Sequence, residues 1–92
     1  MSLQDSKLAP FLKDCRLKSD LSQKEVADHL GYDTAQFISN WERGVSSPPI
    51  SSLWRLASFY GISAQKLFDI VLEEEIRLTT LSLKAKFKQS KT

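Results

Sequence analysis

Residues 21–44, LSQKEVADHLGYDTAQFISNWERG, carry the strongest structural signal in the chain. Their apolar residues recur at steps of three and four, which predicts helices rather than strands. Ser22 and Glu25 have the spacing of a capping box, so a helix should begin at Gln23. Gly31 directly follows the last apolar residue of that helix, where a left-handed residue ends a helix. The stretch therefore predicts two short helices joined at Gly31.

The second of these two helices has unlike faces, and Asp33 or Thr34 is its expected cap. Ile38 and Trp41 should point inward, whereas the outward residues are small or polar: Ala35, Gln36, Ser39, Asn40 and Arg43. Glutamine and asparagine each offer a donor and an acceptor, which matches the N6 and N7 edge of adenine, and an alanine can touch a thymine methyl group. This construction is typical of a helix that enters the DNA major groove.

The same periodicity extends outward on both sides and predicts an all-α chain. A first helix should run to about Lys18, with Asp20 in a left-handed closing position; Pro48 and Pro49 should open a fourth helix, and Ser63 should cap a fifth. The expected inner residues are Leu8, Phe11, Leu12 and Cys15, then Val26, Ala27 and Leu30, then Ile50, Leu53, Leu56 and Ala57, and finally Leu67, Phe68, Ile70 and Val71. Trp54 is expected to be a core aromatic, or a partly exposed one, at the edge of the fourth helix.

We divide the chain into a domain at residues 1–72 and a C-terminal extension at residues 73–92. Leu72, Ile76 and Leu83 form an apolar stripe that a five-helix core cannot cover, so we expect it to be a homodimer interface. Thr79, Thr80 and Ser82 are weak helix formers and predict a break near residue 80, with residues 84–92 frayed.

Composition limits the functional classes. The 92 residues allow one domain, and the net charge of +2 comes from the tail, because acidic and basic residues balance over residues 1–72. Cys15 and His29 lack partners for a disulfide, a metal site or a catalytic group, so we expect no enzyme activity, no metal, no cofactor and no small-molecule ligand. No apolar run suggests a membrane span and no secretory signal is present, which predicts a cytoplasmic protein.

Four ordered motifs resemble a known family: LSQKEVADHLG at 21–31, ISNWERG at 38–44, SPP at 47–49 and LWRLASFYGIS at 53–63. They are similar to the lambda-repressor-like helix-turn-helix domains, also called Cro/repressor or Xre-like, from about Leu8 to Phe68. The resemblance implies a five-helix DNA-binding domain followed by a helical extension. It also implies a homodimer that binds a two-fold operator on double-stranded DNA through the third helix, and that is nucleoid-associated when bound.

The resemblance also implies residue roles. The base-contacting positions fall on Ala35, Gln36, Ser39 and Asn40, and the segment before Ile38 is one residue longer than the commonest form, so Thr34, Ala35 or Gln36 takes the leading place. The phosphate-contacting positions fall on Gln23, Lys24, Arg43, Ser46 and Ser47. Arg16 and Glu42 match a structural ion pair. The two functions to be weighed are a sequence-specific transcriptional regulator and an antitoxin-like or coactivator-like protein-interaction module on the same fold.

Overall fold

The computed structural model describes residues 6–91 and contains only helices over that range. The elements are α1 at Leu8–Lys18, α2 at Gln23–Leu30, α3 at Gln36–Glu42, a 3-10 turn at Ile50–Ser52, α4 at Leu53–Tyr60 and α5 at Ala64–Gln89. The predicted all-α, five-helix architecture is confirmed. Residues 1–5 and 92, at the ends of the two predicted segments, lie outside the described residues.

The residues predicted to begin and end the helices have these roles in the structure. The Ser22 hydroxyl accepts from the Glu25 amide at 3.0 Å, and the Glu25 carboxylate accepts from the Ser22 amide at 2.8 Å, which completes the capping box. Gly31 closes α2 with φ +87°, and Asp20 adopts φ +57° between α1 and α2. The Ser63 hydroxyl accepts from the Lys66 amide at 3.1 Å and so caps α5.

One hydrophobic core joins all five helices. Its buried members come from the inner stripe of each element, as the spacing predicts: Leu8, Leu12 and Cys15 from α1, Val26, Ala27 and Leu30 from α2, Ile38 and Trp41 from α3, Leu53, Leu56, Ala57 and Tyr60 from α4, and Leu67 and Val71 from α5. Phe11, Phe68 and Ile70 are partly buried against this cluster. Burial raises the pKa of the Cys15 thiol, which favours its neutral form.

The start of α4 differs from the prediction. Pro49 is extended, with ψ 145°, and the residues after it form a 3-10 turn before α4 begins at Leu53. Because a 3-10 turn has about three residues per turn, it shifts the phase of the helix. Ile50 is therefore 59% exposed rather than part of the inner face. Trp54 is 78% exposed rather than a core aromatic, because it lies about 100° around α4 from the buried Leu53.

The start of α3 also differs, because the helix begins at Gln36 with Ala35 in the capping position and no side-chain cap. Asp33 is not its cap. The Thr34 hydroxyl instead accepts from the Gln36 amide at 3.2 Å, two residues ahead. This short turn satisfies one free amide without extending the helix toward Asp33.

The last helix is longer than predicted. The break expected near residue 80 and the frayed end from residue 84 are wrong, since α5 continues to Gln89. The Thr80 hydroxyl donates to the Ile76 carbonyl at 2.7 Å, so its polar group is satisfied within the helix. Lys86 and Lys88 in the last turn complement the helix dipole. The predicted domain boundary at Leu72 lies inside this continuous helix.

Glu74 is the last buried residue of α5, with 5% exposure. Its carboxylate accepts two hydrogen bonds of 3.0 Å from the Arg77 guanidinium and another from the hydroxyl of Ser6, which precedes α1. Burial alone raises the pKa of Glu74, but the hydrogen bonds and charge of these partners outweigh it and lower the pKa. Glu74 thus ties α5 to the start of α1, and we call residues 78–91 beyond it the arm.

Candidate nucleic-acid interface

The C-terminal end of α3 is fixed by a nearly buried ion pair. The Arg16 guanidinium donates to Glu42 at 2.7 Å and 2.9 Å, and the two side chains are 10% and 4% exposed. Arg16 also donates to the Leu21 carbonyl at 2.9 Å, while the Gln23 side chain donates to Glu42 at 3.1 Å. The hydrogen bond to Glu42 raises the pKa of Arg16. The ion pair implied by the resemblance is present and joins α1, α2 and α3.

The inward face of α3 fixes the rotation of the helix. Ile38 is 1% exposed and Trp41 is 3% exposed. Tyr32, in the turn between α2 and α3, contacts the Trp41 ring edge-on at 6.0 Å between centroids. Because this side of α3 lies in the core, the opposite side must face solvent.

The outward face of α3 carries a connected row of polar side chains. The Gln36 side-chain amide donates to the Asn40 side-chain oxygen at 2.9 Å, and the Arg43 guanidinium donates to the same oxygen at 2.7 Å. Arg43 also donates to the Ser39 hydroxyl at 3.2 Å. These contacts hold four hydrogen-bonding side chains on one surface of the helix.

The structure places the remaining predicted base-contacting residues at the beginning of this row. Ala35 is half-buried at the start of α3, and Thr34 is exposed just before it. Thr34 uses its hydroxyl to accept from the Gln36 amide, so the hydroxyl is engaged locally. Gln36 is thus the first residue of the row whose long polar side chain stands on the exposed helix face.

The predicted phosphate-contacting side chains do not form one cluster. Gln23 turns toward Glu42, and Lys24 turns along α2 to Asp28 at 2.6 Å and to the Asp33 carbonyl at 3.3 Å. Arg43 lies over α3, and Ser46 is exposed in the following loop. The Ser47 hydroxyl is buried and without a partner among the described residues, and the phosphate contact expected at Ser47 stays a prediction.

Sequence reasoning did not single out Phe37 or Arg55. Phe37 is 51% exposed and packs on the Tyr32 ring at 4.7 Å between centroids. At about 100° per residue, Phe37 lies between the polar row and the buried face, a position its spacing from Gln36 could have revealed. Arg55 in α4 donates to the His29 carbonyl at 2.6 Å and so binds a free carbonyl at the end of α2.

Two other kinds of site are missing from residues 6–91. That range holds no group of His, Cys, Asp and Glu side chains arranged to bind a metal ion. Within the same range, no helix has both the length and the apolar character needed to cross a membrane. The polar row on α3 is the most distinctive chemical surface in the described structure.

The comparison with protein families agrees with this geometry. The helix-turn-helix family matches residues 12–67, which contain the Arg16 to Glu42 pair, α3 and α4. The chain belongs to this family, of the lambda-repressor-like type. A relative from Vibrio cholerae, the cryptic phage CTXphi transcriptional repressor RstR, is 34% identical over 56 residues, which are 61% of this chain and 50% of that protein. The match thus spans half the length of that relative. Together they support a DNA-binding transcriptional regulator.

Proposed function

We propose that this protein is a sequence-specific DNA-binding transcriptional regulator that inserts α3 into the major groove. The observation that carries the proposal is the polar row of Gln36, Asn40 and Arg43 on the solvent side of a helix whose other side is locked in the core. A rigid helix presenting amide and guanidinium groups can match the hydrogen-bond pattern of base edges. The repressor name of the relative supports a role in repression.

Each member of the row has a distinct place in readout. Gln36 and Asn40 can each pair with an adenine edge, and Arg43 can bind a guanine edge or a neighbouring phosphate. The Asn40 oxygen already accepts from Gln36 and Arg43, so a base amino group replaces one of these donors on binding. Ser39 belongs to the same row, Ala35 and Thr34 precede it, and Phe37 is positioned to contact a thymine methyl group.

Phosphate contacts come mainly from the start of α2 and from the loop after α3. In this proposal the Gln23 and Lys24 amides lie in the first turn of α2, where a helix N-terminus favours an anion. The Lys24 side chain leaves Asp28 to reach a phosphate, and Ser46 donates from its exposed position. The balanced charge of residues 1–72 makes nonspecific attraction weak, so base contacts carry a large share of the affinity.

We further propose that the regulator acts in the cytoplasm as a homodimer on a two-fold operator, nucleoid-associated when bound, with residues 1–72 reading DNA and residues 73–92 assembling the dimer. Leu72, Ile76 and Leu83 are 44%, 58% and 59% exposed, which leaves an apolar stripe available to a second copy. Two copies place two α3 helices in successive major grooves, about 34 Å apart. This doubles the length of sequence that is read.

Selection of bound fragments from a random DNA pool tests the readout and yields an operator. On that operator, Gln36→Ala should weaken binding by about 1–3 kcal/mol and leave binding to random DNA nearly unchanged. Gln65→Ala is the matched control, because Gln65 makes a similar exposed bond of 2.8 Å to Asp69 on α5. No enriched sequence, or equal losses from both variants, contradicts the proposal and favours a protein-interaction module.

A further inference from the structure

The arm and the end of the anchored part of α5 carry an apolar stripe with internal symmetry. Leu72, Ile76, Leu83 and Phe87 are all exposed, by 44%, 58%, 59% and 80%. At about 100° per residue they lie within about 60° of one another, along about 22 Å of helix. Their spacing is 4, 7 and 4 residues, so the stripe reads the same from either end. Its midpoint falls between Thr79 and Thr80.

Charges flank this stripe in an equally ordered way. Glu73 and Lys84 lie on one side of it, about 70° and 90° from its centre, and Glu75 and Lys86 lie at similar angles on the other side. All four side chains are exposed. Glu73 has a solvated contact to Lys7 at 3.6 Å, in which the Lys7 side chain is 85% exposed and the Glu73 side chain 68% exposed. Acidic residues thus occupy the start of the stripe and basic residues its end.

We propose that two copies of this chain pair through α5 in antiparallel orientation, with the two-fold axis between Thr79 and Thr80. In this register Leu72 faces Phe87 of the second copy, and Ile76 faces Leu83 of the second copy. In an antiparallel pair each side of one helix lies against the same side of the second helix. Glu73 therefore lies beside Lys84 of the second copy, and Glu75 lies beside Lys86 of the second copy. The inference rests on the homodimer of the proposed function and defines how it is assembled.

The parallel alternative has the opposite electrostatic character. In a parallel pair the two-fold axis runs along the helices. The side of one copy that carries Glu73 and Lys84 therefore lies against the side of the second copy that carries Glu75 and Lys86. Glu73 then lies beside Glu75 and Lys84 beside Lys86, so like charges meet along both sides. Like charges at these distances repel, whereas the antiparallel pair has opposite charges at every flanking position. The charge order therefore selects the antiparallel pair.

The antiparallel pair also separates the two domains by a useful distance. The domain packs against α5 at Leu67 and Val71, which are fully buried and which we call the gripping points. At 1.5 Å per residue these anchors lie about 13–19 Å from the two-fold axis, so the two gripping points are between about 26 and 38 Å apart. The spacing of about 34 Å between successive major grooves applies to the two α3 helices, and it is of the same size as this separation of the domains. A parallel pair places both gripping points side by side.

Charge reversal at one position tests the orientation. In the antiparallel pair Lys86→Glu places two acidic groups beside each other and should raise the dimer dissociation constant about tenfold at low salt. Glu75→Lys should do the same, and the double variant E75K/K86E should return to within about threefold of the wild type. Lys88→Glu is the matched control, because Lys88 shares the last turn of α5 but points about 130° away from the stripe.

A distance measurement tests the same orientation independently. Spin labels at Gln89→Cys, in the full chain with the buried Cys15 replaced by Ala, should be about 28 Å apart along the axis of an antiparallel pair. In a parallel pair the two labels lie at the same height, separated only across the helices. Double electron-electron resonance distinguishes the two arrangements.

The outcomes separate this inference from the homodimer itself. A long label distance, with weakening by K86E and recovery in E75K/K86E, supports the antiparallel pair. A short distance, or tighter association of K86E, overturns it and leaves a parallel homodimer intact. A wild-type chain that sediments as a monomer at high micromolar concentration overturns both the homodimer and its antiparallel assembly.

Discussion

The packed domain and the arm share one uninterrupted helix, α5, yet different forces stabilise its two parts. In the first part of α5, Leu67 and Val71 are fully buried and Glu74 is clamped by Arg77 and Ser6. In the arm, only Leu78 and Leu81 are even half-buried. There the basic last turn complements the helix dipole, and the Thr80 hydroxyl is satisfied by the Ile76 carbonyl. The same helix therefore has a part that folds the domain and a part left free for assembly.

This difference separates the consequences of mutation. Substitutions in the packed domain should change the free energy of unfolding, and substitutions in the arm should change association. The polar row on α3 belongs to neither class, since its outward side chains support no core contact. Stability, assembly and readout can thus be altered one at a time.

The largest effect on the free energy of unfolding is expected from a substitution in the buried core. Trp41→Ala should lower the free energy of unfolding by about 3–5 kcal/mol, because it removes an indole that is 3% exposed and leaves a cavity under α3. Trp54→Ala is the matched control: that side chain is 78% exposed, and its loss should cost less than about 1 kcal/mol. Urea unfolding at equal protein concentration measures both. Equal losses would mean that α3 is turned differently on the core.

Loss of the buried ion pair should have the second-largest effect on the free energy of unfolding. Arg16→Met leaves the Glu42 carboxylate, which is 4% exposed, with the Gln23 side chain as its remaining hydrogen-bond donor among the described residues. The variant should lower the free energy of unfolding by about 3 kcal/mol. The double variant R16M/E42L removes both charges and should recover most of that stability. Lys24→Ala is the control, because the Lys24 to Asp28 pair is 57% and 59% exposed and should contribute less than about 1 kcal/mol. An additive loss in the double variant contradicts a paired role.

Much of the domain was predictable because local chemistry and tertiary packing agree there. The Ser22 capping box, the closing Gly31 and the inner pair Ile38 and Trp41 each have a short-range signal that the core then reinforces. The outward placement of Gln36 and Asn40 follows from the same periodicity. The bonds that join these two side chains to Arg43 were not predictable, because they depend on the rotamers of three flexible side chains.

Each error of the sequence-based prediction has its own physical origin. The 3-10 turn before α4 shifts the helical phase, so extrapolating the stripe backward placed Ile50 in the core. Propensity alone predicted a break near Thr80, but α5 is continuous there, with the Thr80 hydroxyl bonded to the Ile76 carbonyl of the preceding turn. The buried Glu74 gave no sequence signal, since it lies between two exposed glutamates and its clamp includes Ser6, far away in the chain.

Acid should weaken the clamp where the packed domain meets the arm. The lowered pKa of Glu74 means that its ionised form favours the folded state, so the stabilisation is complete above the pKa of an unfolded glutamate, about 4.3. It is lost as the pH falls through the lower folded pKa. The free energy of unfolding of the wild type should exceed that of Glu74→Gln by about 1–3 kcal/mol near neutral pH, and the two values should converge in acid. A difference that stays constant from pH 7 to pH 3 contradicts this linkage; Glu75→Gln, at an exposed neighbour, is the control.

The smallest effect on stability is expected from removing most of the arm. Truncation after Thr79 keeps Leu67, Val71 and the Glu74 to Arg77 clamp, so the free energy of unfolding of the monomer should change by less than about 1 kcal/mol. The circular dichroism signal should fall only by the share of residues 80–89. Operator affinity should fall steeply, because two linked half-site contacts become one. Measured below the dimer dissociation constant, a large loss of stability would mean that the arm packs on the domain after all, and unchanged operator affinity would place the assembly surface elsewhere.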